Sequence, residues 1–233
     1  MIKEMLTNKI LTGMREADFV RLIPLLQPVS LSAGERLSEA GETVRFVYFP
    51  ESCVLSCQAD MHDGRSAEVG MIGVEGMAGI TGLLGSSPAT HSLSVSIGGS
   101  ALRVSTDDFK REILHGDGVQ QSLLAYAGKY VTQVSQRSAC AIFHIVEQRF
   151  AAWLLLLIDR VQDDVIQITQ ERIAEHLGVR RAGVTVVAGA IQDAGAISYR
   201  RGNLRVNDRE MLETIACECY GALAPDRQQT TYM

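Results

Sequence analysis

Residues 170–189 read QERIAEHLGVRRAGVTVVAG, which is the spacing of two short helices that cross at a tight turn. Ile173 and Leu177 supply the inner face of the first helix, and the small Ala174 lets the second helix approach closely. Gly178 suits the turn because glycine tolerates a positive φ angle. The pattern predicts a helix-turn-helix, with an ordinary helical hairpin of an enzyme as the weaker alternative.

The flanking residues extend this prediction in both directions. Thr169 is a suitable N-cap for the first helix, and Gly195 would end the second helix near residue 193. Residues 196–199 and 204–206 then have the composition of two strands, and the Arg-Arg-Gly-Asn between them is a hairpin turn signal that carries positive charge. A helix-turn-helix followed by such a hairpin is a winged helix.

Arginines gather on the predicted winged helix, although the whole chain is acidic with a net charge of −5 and a pI of about 5.6. Phosphate contact needs local positive charge, and the front of the second helix enters the major groove first. The cluster therefore predicts DNA binding, whereas Arg209 is better interpreted as a solvated surface charge. The candidate DNA-binding residues are Thr169, Gln170, Arg180, Arg181, Thr185, Arg200 and Arg201.

Composition sets the outer limits of the prediction. A chain of 233 residues that is 46% apolar can form one large or two small domains with an ample core. The longest apolar run, residues 151–158, is far shorter than the roughly 18–20 residues of a membrane span. Because the first residues also lack the layout of a signal peptide, a cytoplasmic protein without a membrane partner is expected.

Glycine recurs through residues 29–104, and short runs of alternating polar and apolar residues lie between the glycines. Period-two runs separated by turn residues are typical of an antiparallel barrel or sandwich. Pro50 is expected to end a strand or to lie on an edge, and short helices are expected before the barrel. The four runs are residues 44–49, 66–71, 92–97 and 101–104.

Beyond Thr106 the period becomes helical, and after a break at Gly116–Gly118 a long helix is predicted from about Val119 to Arg137. Its apolar stripe allows two interpretations, which the sequence leaves open. The helix either packs on its own barrel or forms a seam between two subunits. For the seam, the candidate dimer-interface residues are Leu123, Tyr126, Tyr130 and Val134.

A glycine-punctuated barrel, a long helix and a winged helix that opens with Ile168-Thr169-Gln170-Glu171 together resemble the Crp/Fnr family of transcription regulators. The likeness covers nearly the whole chain and is strongest from Phe150 to Val206. It implies an α+β fold in three parts: a cyclic-nucleotide-binding-like sensory barrel of the double-stranded β-helix (jelly-roll) type at residues 1–115, a dimerisation helix at 116–144, and a winged-helix DNA-binding domain at 145–233.

The resemblance also implies partners. A homodimer would bind a pseudo-palindromic site in double-stranded DNA and respond to a small-molecule effector, with RNA polymerase as a further candidate partner. The identity of the effector, the operator sequence and the choice between activation and repression stay open.

The candidate ligand pocket departs from the cyclic-nucleotide-binding members of that family, which use a Gly-Glu pair and an Arg followed by a small residue. Here Gly76-Met77-Ala78 places methionine where the Glu would stand, and Thr90 or His91 falls where the Arg would stand. Neither replacement offers a permanent charge with bidentate geometry. These five residues are the candidate ligand site for an unidentified effector, and cyclic AMP is expected to bind poorly.

The recognition helix departs as well. Ala182 and Val186 stand where well-known members present a Glu and a second Arg, both of which read base edges. A different target sequence is therefore expected, with Arg180, Arg181 and Thr185 as the remaining readers.

No cofactor or metal is expected. An iron–sulfur cluster needs four thiolates or close substitutes, and no cysteine precedes Cys53. Cys217 and Cys219 have no partner His or Cys at zinc spacing, so the five cysteines are expected to be free thiols. A redox role for Cys53 and Cys57 stays open. A lone histidine is more often structural than a haem ligand, which applies to His62, His91 and His144.

Two other classes of function compete with a regulator. A cupin-type metal enzyme with an appended helical domain would need two close histidines, whereas His62 and His91 stand apart in the sequence. An interaction module without DNA binding would not need the arginine cluster. Since no nucleophile–base set is evident either, the chain is expected not to be an enzyme.

Overall fold

The computed structural model describes residues 3–85, 88–115 and 117–224, which fold into two compact units. The N-terminal unit comprises residues 1–60 and 70–132, and the C-terminal unit comprises residues 61–69 and 133–233. The division falls inside the long helix, whereas the sequence suggested a separate segment at 116–144. Gly116, where the break was predicted, lies outside the described residues.

The N-terminal unit is a β-rich barrel with helices before and after it. Its helices are α1 (Lys9–Gly13), α2 (Glu16–Leu22), α3 (Ile80–Leu83), α4 (Thr106–His115) and the first part of α5 (Asp117–Phe143). Its strands are β1 (Gln27–Leu31), β2 (Arg36–Ser38), β3 (Phe46–Pro50), β4 (Val54–Asp60), the end of β5 (Ser66–Ile72), β6 (Ser92–Ile97) and β7 (Gly99–Ser105).

The strands form two sheets, with the orders β1-β7-β3 and β2-β6-β4-β5. β7 pairs antiparallel with β1 and β3, and β6 pairs antiparallel with β2 and β4. The predicted antiparallel barrel is confirmed, including all four alternating runs, and Pro50 is the last residue of β3. β1, β2 and β4 were not singled out in the sequence.

The first part of α5 packs on the barrel of its own chain. Val119, Leu123 and Tyr126 are buried in a core cluster together with Phe49 of β3 and Phe109 of α4. The rings of these two phenylalanines meet edge to face, with their centroids 5.7 Å apart. Because a buried side chain has no surface left for a partner, the assignment of Leu123 and Tyr126 to a dimer interface is corrected.

The remaining two residues of that predicted interface are half-buried. Tyr130 packs against both core clusters of the N-terminal unit, so it too is a barrel contact. Val134 belongs to the C-terminal unit, where it lines a small apolar cavity. The whole stripe therefore faces the interior of its own chain, as the first of the two interpretations held.

Two barrel glycines are required by this packing. A Cβ atom at Gly70 would lie 2.7 Å from the Tyr130 hydroxyl, and one at Gly76 would lie 2.6 Å from the Tyr126 hydroxyl. Since real side chains do not approach so closely, larger residues at these positions would displace the tyrosines.

The C-terminal unit is a winged helix built around a buried helix. Within the described residues its elements are the end of α5, α6 (Val146–Val161), β8 (Val165–Gln167), α7 (Gln170–Leu177), α8 (Arg181–Asp193), β9 (Ile197–Arg200), β10 (Asn203–Val206), α9 (Arg209–Ile215) and α10 (Cys219–Leu223). The central part of α6, residues 150–158, is almost wholly buried. β8, β10 and β9 form a three-stranded sheet in that order.

No helix in the described part of the chain combines the length and the apolar character that a membrane span requires.

Candidate nucleic-acid interface

The turn of the helix-turn-helix is formed as the sequence predicts. The Thr169 hydroxyl accepts a hydrogen bond from the Arg172 amide at 3.3 Å, which caps the N-terminus of α7. Gly178 ends α7 with a φ of 65°, and its amide bonds back to the helix. Three residues later α8 begins, so the two helices are joined by the shortest of connections.

The two predicted arginines lie together at the N-terminus of α8. Arg180 is the N-cap residue and is exposed, and Arg181 is the first residue of the helix. The Arg181 Nε atom lies 2.9 Å from Oε1 of Glu171, with 65% and 54% of the two side chains exposed. An exposed ion pair contributes only about 0–1 kcal/mol, so Arg181 can leave Glu171 for a nucleic acid at little cost.

The polar pair Gln170 and Thr185 joins the two helices. The Thr185 hydroxyl donates a hydrogen bond to Oε1 of Gln170 at 2.8 Å, and both residues are on the exposed side of the motif. Thr185 lies one turn beyond Arg181 on α8, so the structure brings together four of the predicted residues, counting Arg180.

The predicted wing is confirmed, and its turn is tight. Asn203 pairs with Arg200, and the two residues between them, Arg201 and Gly202, both have positive φ angles of 51° and 81°. Two consecutive positive φ values define a type I′ hairpin turn. Arg200 and Arg201 are both exposed at its tip.

Tyr199 fastens the wing to the start of the helix-turn-helix. Its hydroxyl donates a hydrogen bond to the Ile168 carbonyl at 2.7 Å, and burial raises its pKa above the ordinary value. The Tyr199 amide donates to Oε1 of Gln192, near the end of α8, at 2.8 Å. Because the wing is attached at both places, the arginines at its tip keep a fixed position relative to α7 and α8.

The outward face of α8 carries small side chains. Ala182, Thr185, Val186 and Ala190 are all exposed, Val186 to 73%. A helix with short side chains can bring its backbone close to a groove, and an exposed valine offers an apolar contact there.

Arg209 lies in a separate network. Its Nη2 atom is 2.6 Å from Oδ1 of Asp159 and 2.6 Å from the Tyr220 hydroxyl, and its Nε atom is 3.1 Å from Oε1 of Glu213. This arginine fastens α6, α9 and α10 together, so the interpretation of a solvated charge is corrected. Glu171, Val186 and Tyr199 are interface residues that the sequence analysis missed, since their roles depend on contacts across the turn and the wing.

Comparison with known proteins agrees with this geometry. Residues 148–215 match the family of the Crp-like helix-turn-helix domain. The winged helix is a Crp-like helix-turn-helix domain. The comparison with curated proteins gave no match.

Solved structures with the fold of the whole chain surround the Crp-like domain. A transcriptional regulator of the Crp/Fnr family from Eubacterium rectale has a TM-score of 0.72 at 16% identity, covering 90% of this chain and 98% of that chain. The cyclic di-GMP-responsive regulator CLP from Xanthomonas campestris has a TM-score of 0.68 at 15% identity, covering 82% and 99%. A Crp-family regulator from Thermus thermophilus, TTHB099, has a TM-score of 0.68 at 18% identity, covering 81% and 96%.

These likenesses show that the fold is the one of Crp/Fnr regulators. Together with the Crp-like domain, they support DNA-binding transcription regulation by this chain.

The barrel of the N-terminal unit contains a cavity of about 370 Å³. Arg103 is stacked on Phe46 beside it, with its guanidinium carbon 4.3 Å from the ring centroid. Burial raises the pKa of the neighbouring Tyr48 above its ordinary value. The polar lining includes Glu42, Arg45, Tyr48, Cys57, His91 and Arg103.

The predicted ligand residues do not form this cavity as a group. Met77 is fully buried in the core cluster, and Ala78 is paired with the backbone of Tyr48 at 3.0 Å. Gly76 is closed off by Tyr126, and Thr90 is exposed outside the lining. His91 alone among the five lines the cavity, so the other four are corrected as ligand contacts.

The cysteines are free thiols throughout the chain. Burial raises the pKa of Cys53 to about 12, which makes it a poor nucleophile, while Cys57 lines the barrel cavity. Cys217 and Cys219 do have partners, since Cys140 and His144 of α5 lie beside them. The sequence missed this cluster because its two halves are more than seventy residues apart.

Proposed function

We propose that this protein is a cytoplasmic, homodimeric transcription regulator that binds a pseudo-palindromic DNA site through the Crp-like domain. One observation carries the proposal. The exposed N-terminus of α8, with Arg180 and Arg181, is flanked by a fixed wing whose tip presents Arg200 and Arg201. This is the arrangement that a recognition helix and a phosphate-binding wing require.

The similarity to regulators also favours a protein without catalytic activity. In the described part of the barrel, no three potential metal ligands come together, which leaves a cupin-type enzyme without a site there. RNA polymerase stays a candidate partner that DNA-bound protein would recruit.

Selection from random-sequence duplexes tests DNA recognition. A dimer repeats each contact, so the enriched sequence should contain two half-sites about 10 base pairs apart, centre to centre, or a multiple of that spacing. A double variant with Arg180→Ala and Arg181→Ala should enrich nothing. If folded wild-type protein enriched no sequence over the starting pool, the proposal would be wrong.

A second face of α5 supports a seam between two copies. Leu124 and Val131 are 56% and 63% exposed although they are large and apolar. Gly128 lies between them on the same side, and a Cβ there would meet no atom within 4 Å. Their spacing of four and three residues is that of a coiled-coil seam, and Ser135, Ser138 and Ile142 continue it along the sequence. We assign the dimer interface to this face.

The barrel cavity is the proposed effector site. Its volume of about 370 Å³ suits a small molecule, and Arg45, Arg103 and His91 supply donors along its wall. Cyclic AMP is not the expected effector, because Met77 replaces the usual carboxylate and is buried away from the cavity. Titration calorimetry should therefore detect no binding of cyclic AMP, whereas an affinity in the micromolar range would contradict this assignment.

A further inference from the structure

Four side chains with metal-binding atoms meet in the C-terminal unit. They are Cys140, His144, Cys217 and Cys219, and their ligand atoms all lie within 4.8 Å of one another. Cys140 and His144 are one helical turn apart near the end of α5. Cys217 follows α9, and Cys219 is the first residue of α10.

The distances fit a tetrahedral metal ion. Zinc bonds of about 2.3 Å to sulfur and about 2.0 Å to nitrogen place neighbouring ligand atoms roughly 3.5–3.8 Å apart in a tetrahedron. The Sγ atoms of Cys140 and Cys217 are 3.6 Å apart, and Sγ of Cys219 is 3.6 Å from Nδ1 of His144. A disulfide, with a bond of about 2.0 Å, would need these sulfurs to move together.

A second layer of polar groups orients two of the ligands. The Nε2 atom of His144 lies 3.1 Å from Oε2 of Glu218, which leaves Nδ1 facing the cysteines. Metal-bound histidines commonly carry a carboxylate on the ring nitrogen that does not bind the metal. Gln136 donates a hydrogen bond from Nε2 to Sγ of Cys219 at 3.1 Å, as amides do toward metal-bound sulfur.

The environment also favours a thiolate. Cys217 and Cys219 are buried, with 4% and 2% of their surfaces exposed. A hydrogen bond from Cys140 lowers the pKa of Cys217 to about 6, while the same bond raises the pKa of Cys140. A metal ion would replace that shared proton and stabilise both sulfurs as thiolates.

The segment that carries two of the ligands is fixed independently. Tyr220, which follows Cys219, donates from its hydroxyl to Oδ2 of Asp159 on α6 at 3.0 Å. Burial and the Asp159 charge raise the pKa of Tyr220 to about 12, so it remains a donor. The thiols are therefore held in place before any ion binds.

We propose that Cys140, His144, Cys217 and Cys219 bind one Zn²⁺ ion in a closed Cys₃His site. Three thiolates and one imidazole in tetrahedral geometry are the donors that zinc prefers, and four protein ligands leave no open position for substrate. The ion joins the end of α5 to the segment between α9 and α10, so its role is structural. The proposal departs from the expectation that the chain binds no metal.

The test starts from full-length protein purified without chelators, with any histidine tag removed. Mass spectrometry of the metal content should find one zinc per chain. Cys219→Ser and His144→Ala should lose most of that zinc, whereas Cys57→Ser, a cysteine of the barrel, should keep it. Removal of zinc by a chelator should lower the melting temperature of the wild type and leave that of Cys219→Ser unchanged.

Cobalt substitution keeps the test informative if a variant fails to fold. Wild-type protein stripped of zinc and titrated with Co²⁺ should gain the thiolate charge-transfer and tetrahedral d–d bands of a sulfur-rich site. Protein that contains no zinc as isolated and gives no such bands would overturn the proposal. A Cys140–Cys217 disulfide in protein isolated under reducing conditions would overturn it as well.

Discussion

Arg181 can be released for DNA because its partner, Glu171, lies at the protein surface. If α8 enters the major groove, Arg181→Ala removes a bidentate contact to guanine worth about 1–3 kcal/mol of discrimination. The variant should therefore lose affinity for the selected site much more than for scrambled DNA. Fluorescence anisotropy with both duplexes measures the ratio, and Arg111→Ala, an exposed arginine of α4, is the matched control. An unchanged ratio for Arg181→Ala would show that α8 does not read the bases.

Two glycines should respond to alanine in opposite directions. Gly76→Ala places a Cβ 2.6 Å from the Tyr126 hydroxyl, and such overpacking costs about 1–3 kcal/mol of unfolding free energy. Gly189→Ala, inside α8, meets no atom within 4 Å and should gain about 0.5–1 kcal/mol from its better helix propensity. Urea denaturation of the two variants measures both changes. Equal stability of Gly76→Ala and the wild type would argue against the tight contact with α5.

At the scale of elements, the wing should contribute affinity without sequence preference. Arg200 and Arg201 lie at the tip of the hairpin, where phosphates are the accessible partners. Arg200→Ala and Arg201→Asn should each weaken binding to selected and scrambled DNA alike, and lower the salt slope by about one unit. Asparagine is chosen at position 201 because it tolerates the positive φ there. A selective loss at one sequence would instead place the wing on base edges.

Elements that depend on local sequence could be predicted, and those that depend on distant contacts could not. Thr169, Gly178 and the Arg201-Gly202 turn act within a few residues of themselves, so the helix-turn-helix and the wing follow from spacing alone. β1 and β2 are short edge segments whose strand character comes from pairing with β7 and β6. The stripe of α5 has the same spacing whether it faces a barrel or a partner, and only the burial of Leu123 and Tyr126 distinguishes the two.

The candidate sites divide in the same way. The arginines of α8 and the wing lie where the motif places them, because the motif itself defines the face. The barrel cavity and the Cys₃His cluster are assembled from segments far apart in the sequence, such as Arg45 with Arg103 and Cys140 with Cys217. No local spacing marks such pairs.

At the scale of the whole molecule, the exposed face of α5 predicts a dimer. Sedimentation should give twice the chain mass of 25.4 kDa, and Val131→Glu should shift the protein toward the monomer because two like charges would meet across the twofold axis. Leu114→Glu, at an equally exposed leucine of α4, should stay dimeric. Wild-type protein that remains monomeric at micromolar concentration, free and on DNA, would exclude the seam.

The small, partly apolar face of α8 has a consequence for how this regulator would perceive chemically modified DNA. Val186, with 73% of its surface exposed, is suited to touch the C5-methyl group that distinguishes thymine in the major groove. A methylated cytosine carries the same group at the same place. Methylation within an operator would therefore alter the surface that Val186 meets, and would make gene expression from that operator sensitive to an epigenetic mark without any change in base sequence.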